Sequence, residues 1–184
     1  VVLQNEGSAS ASEVLTAALQ SWGAGTIVGT TSFGKGTVQE TWDLTNGGSV
    51  KLSTNKWLTP KETWIHERGV QPDVEADQHP LYTIEFVPIR GSFEAGDFSE
   101  EIAYAQKVLH GFGFPIVRQD GYFDETTKKA VIAFREKYDI REGEVLDELF
   151  FEKMQEQVVL YKDKEENDLQ LQMGVSYIMH KLGH

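Results

Sequence analysis

The chain has 184 residues, enough for one or two domains and a sizeable buried core. Its net charge of −12 argues against nucleic-acid binding, which needs clustered Lys and Arg. The absence of cysteine rules out disulfides, thiolate metal sites and cysteine nucleophiles. No stretch approaches the ~20 apolar residues of a membrane span. The five histidines show no metal-ligand spacing, so no metal site is expected from them, but a Ser–His–Asp triad that forms in space stays open.

The first half of the chain alternates strand and helix patterns. The apolar run at its start, Val1–Gln4, predicts a buried strand of a longer protein whose targeting segment lay upstream. A helix follows over residues 11–22, with apolar side chains at helical spacing: Val14, Leu15, Ala18, Leu19 and Trp22. Further strands are predicted at 26–29, 38–44 and 50–57, the last two joined by a hairpin turn at Asn46-Gly47-Gly48.

The second half is helical. Residues 74–98 have no regular pattern and contain the expected domain boundary. Three short helices follow, with apolar faces around 102–109, 126–138 and 146–158, and a charge run at 163–166 reads as a linker. A final amphipathic helix carries the stripe Leu171, Val175, Ile178 and Leu182. It either returns to the first domain or packs on a partner, a second copy of the chain included.

These patterns predict an α/β domain over residues 1–91, a small all-α domain over 92–160, and a linker with a C-terminal helix over 161–184. A three-helix domain of this size lies near the lower limit of independent stability.

The segment NEGSASASE, residues 5–13, lies where the first strand turns into the first helix. Backbone N–H groups at a helix start are unpaired and can stabilise negative charge, so a serine at this corner is well placed to be a nucleophile. The alternative is structural. Ser10 and Glu13 fit the S-x-x-E capping box, a common way to begin a helix.

Lys35 lies between two glycines, Gly34 and Gly36, which permit close backbone approach. Burial would lower its pKa and let it act as a general base. Gln39 is four residues further on, so in an extended segment it faces the same side and can hydrogen-bond the lysine. The alternative is an exposed loop lysine and an ordinary strand glutamine.

Taken together, NEGSASASE, GTIVGTTSFGKGTVQ and the later turn GVQPD resemble the carboxyl-terminal processing (tail-specific) proteases, over roughly residues 1–77. The resemblance implies a crotonase/ClpP-like protease core and a serine endopeptidase with a Ser/Lys dyad. By position, Ser10 is the nucleophile, Lys35 the base and Gln39 its support, and the backbone N–H of Ala11 contributes to the oxyanion hole. No cofactor is implied.

The same resemblance implies protein or peptide substrates cleaved near their C-terminus, and a location outside the cytoplasm in the bacterial cell envelope. Ser8 and Ser12 remain structural. The family's upstream PDZ domain and its glycine-containing oxyanion loop are absent from these residues, so we expect this stretch alone to be weakly active or inactive.

Residues 97–158 resemble a second family, the helical peptidoglycan-binding domain, through the run DGYFDETTKKAVIAFREKY. Arg135 stands where glutamine is usual. This resemblance implies peptidoglycan as a partner. It also defines the rival hypothesis, a wall-binding or assembly module whose protease residues are vestigial. A non-peptidase of crotonase-like fold is a third interpretation, but it gives no reason for a glycine-flanked lysine followed by Gln39.

Overall fold

The computed structural model describes residues 1–183, which form two compact units. The first contains Val1–Asp77 and the C-terminal helix, and the second contains Gln78–Asp168. The strands are β1 (Val2–Gln4), β2 (Ile27–Gly29), β3 (Thr37–Asp43), β4 (Ser49–Lys56) and β5 (Val74–Glu75). The helices are α1 (Ala11–Ser21), α2 (Pro80–Thr83), α3 (Glu100–Gly111), α4 (Glu125–Lys137), α5 (Glu148–Lys162) and α6 (Leu169–Leu182), with a 3₁₀ turn at Glu165–Asn167. None of the described helices is both long and apolar enough to cross a bilayer.

The first unit is built on a small parallel sheet in the order β1-β2-β5. Helix α1 connects β1 to β2, and β3 and β4 form a separate antiparallel hairpin with mostly exposed side chains. The α/β character, the first two strands, helix α1 and the hairpin are as predicted. The sheet's third strand was missed. Val74 pairs with Val28 inside the stretch expected to be irregular, because a two-residue strand is defined by its neighbour rather than by local periodicity.

Helix α1 forms where predicted, and its buried positions are Glu13, Thr16 and Ala17. Of the apolar side chains whose spacing indicates the helix, Val14, Leu15 and Trp22 are 47%, 59% and 78% exposed, whereas Ala18 and Leu19 are half-buried. The buried side therefore carries a fully bonded carboxylate, and Ala17 packs with Ile65 and Val70.

Helix α6 packs on β1 and β2, so it returns to the first unit, which is one of the two expected outcomes. Gly174 allows the approach, because a Cβ there would lie 3.0 Å from Leu3 Cδ2. The buried Gln170 amide donates to the Ala76 carbonyl at 2.9 Å, just beyond β5. The chain end therefore completes the layer that covers the sheet.

The second unit has a dense apolar core built from α2 to α5. It includes the buried aromatic side chains Tyr104, Phe123, Phe134, Phe150 and Phe151. Leu81, in α2, belongs to this core and is 1% exposed. The unit therefore begins at Gln78, whereas the sequence placed its start at residue 92.

Arg135, the departure from the peptidoglycan-binding pattern, is 2% exposed and holds the loop before α5. Its guanidinium donates to the carbonyls of Arg141 and Val145, at 2.9 and 2.8 Å. It also pairs with the Asp147 carboxylate at 2.6 Å, and Asp147 caps α5. A glutamine is too short and has too few donors for all three contacts, so the arginine has a structural reason here.

Candidate active site

The corner between β1 and α1 is strained at Ser10. Its backbone lies at φ 57° and ψ −112°, in the left-handed half of the map that non-glycine residues rarely adopt. Its side chain is exposed. The hydroxyl occupies the capping position of α1 without forming a capping hydrogen bond. An exposed, unengaged serine on a sharp strand-to-helix turn has the geometry of a nucleophile elbow.

The backbone N–H of Ala11, the first helical residue, has no hydrogen-bond partner within residues 1–183. It belongs to the group of N–H donors that every helix start leaves unpaired. Positioned directly after the strained serine, it can donate to an oxyanion that forms on a carbonyl attacked by Ser10.

The carboxylate of Glu13 is completely buried below this corner and accepts hydrogen bonds on both oxygens. Oε2 accepts from the backbone N–H groups of Ser10 and Lys35, each at 2.8 Å. Oε1 accepts from the Ser32 hydroxyl and the Gly34 N–H, each at 2.6 Å. The capping interpretation was therefore correct for the Glu13 carboxylate but incomplete, because three of these donors lie about 20 residues away.

These bonds determine the ionisation of Glu13. Burial raises the pKa of a carboxyl group, but the donors from Ser32, Gly34, Lys35 and Ser10 outweigh it, and the net pKa of Glu13 is lowered. Glu13 is thus a buried anion at neutral pH, held by donors rather than by a cation.

The backbone around Lys35 is fixed on both sides. Its N–H donates to Glu13, and its carbonyl accepts from Trp57 Nε1 at 3.1 Å. The flanking glycines allow the segment 66–69 to pass close by. A Cβ on Gly34 would lie 2.9 Å from Gly69 N, and one on Gly36 would lie 2.7 Å from His66 N. The close approach expected from the glycines is therefore present.

The structure brings the Ser10 and Lys35 backbones onto one carboxylate but does not join their side chains. Within residues 1–183, no hydrogen bond links the side chains of Ser10, Lys35 and Gln39. Lys35 is half-buried, and Gln39 is exposed on β3. The dyad therefore stays a prediction.

No group of three His, Asp or Glu side chains in the described chain could hold a metal ion.

Sequence reasoning missed two residues of this site. Ser32 links Glu13 to the later turn, because its oxygen also accepts from Val70 N–H at 2.7 Å. Glu13 was assigned only a local cap. The S-x-x-E spacing explains the bond to Ser10, but the bonds to residues 32–35 depend on the tertiary fold and have no local signal.

A strained, exposed serine at a helix start, with a glycine-flanked lysine segment bonded to the same carboxylate, resembles the nucleophile corner of serine hydrolases. The comparisons with known proteins narrow that class. Residues 1–76 match the family described as peptidase family S41, and residues 98–154 match the putative peptidoglycan binding domain. The first segment of this chain is therefore similar to peptidase family S41, and the second is similar to the peptidoglycan-binding domain family.

Among curated relatives, the carboxy-terminal processing protease CtpB of Bacillus subtilis (strain 168) is 39% identical over 174 residues, which is 95% of this chain and 36% of the relative. The carboxy-terminal processing protease CtpA of the same strain is 31% identical, over 99% of this chain and 38% of the relative. The chain thus spans little more than a third of the length of these relatives. A solved structure, the photosystem II D1 C-terminal processing protease, is 45% identical over 41% of this chain and 20% of its own, with a TM-score of 0.40.

Proposed function

We propose that this chain carries the catalytic serine and lysine of a carboxyl-terminal processing endopeptidase. Ser10 is the nucleophile, Lys35 the general base and Gln39 the residue that orients the lysine. The observation that carries the proposal is the strained Ser10 corner, whose backbone shares one buried carboxylate with Lys35. A cap alone needs neither the strain nor the second segment.

In the proposed reaction, Ser10 Oγ attacks the carbonyl carbon of a substrate peptide bond while Lys35 Nζ accepts its proton. The negative charge that forms on the carbonyl oxygen is stabilised by Ala11 N–H and the positive end of the α1 dipole. Lys35 then protonates the leaving amine. Water, deprotonated by the same lysine, hydrolyses the acyl-enzyme and regenerates Ser10. Gln39 accepts a hydrogen bond from Nζ and keeps it directed at the serine.

The test compares Ser10→Ala with Ser8→Ala in the natural full-length protein, using an unfolded protein substrate and a serine-directed fluorophosphonate. Ser10→Ala should abolish both hydrolysis and labelling. Ser8→Ala should keep both to within a few fold, because Ser8 lies outside the proposed dyad. Full activity in Ser10→Ala would sink the proposal, and Lys35→Ala should lose hydrolysis to a similar extent. The stretch of residues 1–184 alone should hydrolyse the same substrate weakly or not at all.

We further propose that the helical unit attaches this peptidase to peptidoglycan, which implies a location in the cell envelope. The family match over residues 98–154 supports this. The test is retention of the full-length protein on purified peptidoglycan, compared with a form that lacks the whole helical unit, residues 78–168. Equal retention of both forms would favour a peptidase that reaches its substrates without wall binding. Retention together with an inactive Ser10 site would favour the vestigial wall-binding module.

Self-association through α6 stays a prediction. The helix keeps large apolar side chains exposed, among them Val175, Ile178 and Leu182. Analytical ultracentrifugation of Leu182→Glu against the unchanged chain tests it. Identical sedimentation of the two at high concentration would remove α6 from consideration.

A further inference from the structure

Glu13 touches neither proposed reacting atom, yet its carboxylate binds the backbone of both residues that carry them. We infer that Glu13 is a positioning residue, which holds the Ser10 corner and the Lys35 segment in one fixed relation. This inference rests on the proposed function, because its meaning depends on Ser10 and Lys35 acting as a pair. In this role Glu13 does more than cap helix α1, because it also binds the segment that carries Lys35.

The Glu13 carboxylate and its hydrogen bonds form a brace between the two segments. At its Ser10 end, the brace holds a backbone conformation that is unfavourable on its own. A serine at positive φ persists only where the surroundings determine it. The bond from Ser10 N–H to Glu13 Oε2 is the hydrogen bond that the structure gives this residue's own N–H. Without it, the N–H would be unpaired and the backbone would be free to relax toward an ordinary helix start. The hydroxyl would then swing away from its attacking position.

At the Lys35 end, the Glu13 carboxylate binds three residues of the facing segment. Ser32 Oγ and Gly34 N–H bind one carboxylate oxygen, and Lys35 N–H binds the other. Phe33 N–H adds a direct bond to the Ser8 carbonyl at 3.0 Å. The Phe33 N–H donates to Ser8, whereas the Gly34 and Lys35 N–H groups donate to Glu13, so the backbone is fixed on both sides of residue 34. The lysine therefore starts from a fixed backbone position, and its side chain has less freedom to search for the serine.

The chemistry of the site requires a carboxylate. A buried anion is costly unless its oxygens are fully bonded, and here donors occupy both. Glutamine has the same shape, but it has one acceptor oxygen and one NH₂ group. Whichever way the amide turns, the NH₂ faces backbone N–H donors. At least one of the two segments would lose its bond and move.

The principal experiment is Glu13→Gln in the natural full-length protein, with kcat and KM measured separately. A shift of about 1 Å between reacting groups can cost on the order of 100-fold in rate, so kcat should fall about 100-fold. KM should change by no more than a few fold, because the brace does not contact substrate. The rate of fluorophosphonate labelling at Ser10 should fall in parallel with kcat.

Asp73→Asn is the matched control. Asp73 also accepts two hydrogen bonds in the first unit, from Ile27 N–H at 2.8 Å and from Gln20 Nε2 at 2.9 Å. It contacts neither the serine corner nor the lysine segment. An asparagine keeps the bond from Ile27 N–H, and if the Gln20 amide turns over to accept from the new NH₂, it gives up only its exposed bond to the Gln71 carbonyl. This variant should keep kcat within a few fold at a temperature where it remains folded, and so it reports the effect of weakening this unit in general.

Ser32→Ala keeps the test decisive if Glu13→Gln does not fold. It removes one donor to Glu13 and the acceptor for Val70 N–H, so kcat should fall about tenfold, again with little change in KM. Where Glu13→Gln folds, the losses of the two single variants should be less than additive in the double variant, because both act through one network. Full additivity would show that Ser32 and Glu13 act separately and would overturn the inference.

The outcomes separate the inference from the proposed function. If Ser10→Ala is fully active, the proposed function fails. If Ser10→Ala is inactive but folded Glu13→Gln keeps its kcat, or loses no more than Asp73→Asn, only the positioning role fails. A selective loss of kcat and of Ser10 labelling in Glu13→Gln and Ser32→Ala supports both.

Discussion

The two units of this chain are stabilised in different ways. The helical unit buries a continuous apolar core in which aromatic rings contact one another, with Phe134 and Phe150 centroids 4.9 Å apart. The α/β unit has a small apolar cluster of Ala17, Ile65 and Val70, and it buries polar side chains beside it. These are Gln4, Glu13, Thr16, Ser32 and Gln170.

This difference distinguishes contacts that stabilise the fold from contacts that fix the positions of individual atoms. Apolar burial has no preferred direction, so an aromatic core gives free energy without fixing individual atoms. Hydrogen bonds to a buried carboxylate are directional, and a missing partner is costly, so they fix backbone positions closely. Directional contacts occur in both units, Arg135 being the example in the helical unit, but more of the buried polar side chains lie in the unit with the proposed chemistry. Four experiments test this contrast.

The largest effect is expected from Phe134→Ala in the helical unit. Phe134 is fully buried among Phe112, Phe114, Tyr138 and Phe150, so its loss should cost about 3–5 kcal/mol.

Two signals follow the two units. Far-UV circular dichroism follows mainly the helices, and tryptophan fluorescence follows the α/β unit, because all four tryptophans lie in residues 1–77. In urea unfolding, the midpoint of the far-UV circular dichroism transition should move to a lower urea concentration in Phe134→Ala. The control Phe98→Ala, at a position 71% exposed, should move this midpoint little. An equal shift of the tryptophan signal would contradict the separate stabilisation of the two units.

Gly69→Ala should cost about 3 kcal/mol in the α/β unit, near the upper end for strained backbone positions. Gly69 lies at φ +69°, and a Cβ there would be 2.2 Å from the Ser32 carbonyl oxygen. Gly47→Ala is the matched control, at φ +82° with open space around it, and should cost about 1 kcal/mol. Tryptophan fluorescence in urea measures both. Equal costs would show that the close packing around Ser32 is unimportant.

Arg135→Gln restores the usual residue of the peptidoglycan-binding pattern and should nevertheless destabilise the helical unit by about 2 kcal/mol, because it leaves buried carbonyls unpaired. Arg118→Gln is the control, since its pair with Asp120 is exposed. Thermal unfolding followed at 222 nm compares the two. A more stable Arg135→Gln would mean that the core, and not this hydrogen-bonded loop, determines the stability of the unit.

The smallest effect is a pH dependence. Because the folded pKa of Glu13 is lowered, its contribution to stability is fully present above the unfolded pKa, about 4.3, and is lost as pH falls through the folded pKa. The stability difference between the unchanged chain and Glu13→Gln should therefore be constant near neutral pH and shrink below about pH 4. Urea unfolding from pH 3 to 7, followed by tryptophan fluorescence, measures it. A difference that grows on acidification would contradict an ionised Glu13.

The sequence predicts what depends on local pattern. The helix 11–22, the hairpin and the three helices of the second unit follow from periodicity and turn residues. Periodicity does not show which side of α1 is buried, because the buried positions include Glu13, whose partners lie in the segment 32–35. Strand β5 exists only through its pairing with β2. At the site, spacing and motif indicate Ser10 and Lys35, but the carboxylate that connects them depends on donors about 20 residues away.

The hydrogen bond from Ser10 N–H to Glu13 has a consequence for the geometry of acyl transfer. In many serine hydrolases a tetrahedral intermediate is held by two backbone donors, and the nucleophile's own N–H can be one of them. Here that N–H points inward and is already used. In the proposed reaction, the part of this corner that the structure describes therefore offers Ala11 N–H to the charged oxygen, and a second donor would come from another segment. One oxyanion donor accounts for roughly 10²–10³ in rate, so under the proposed function that segment would control catalysis without moving either Ser10 or Lys35.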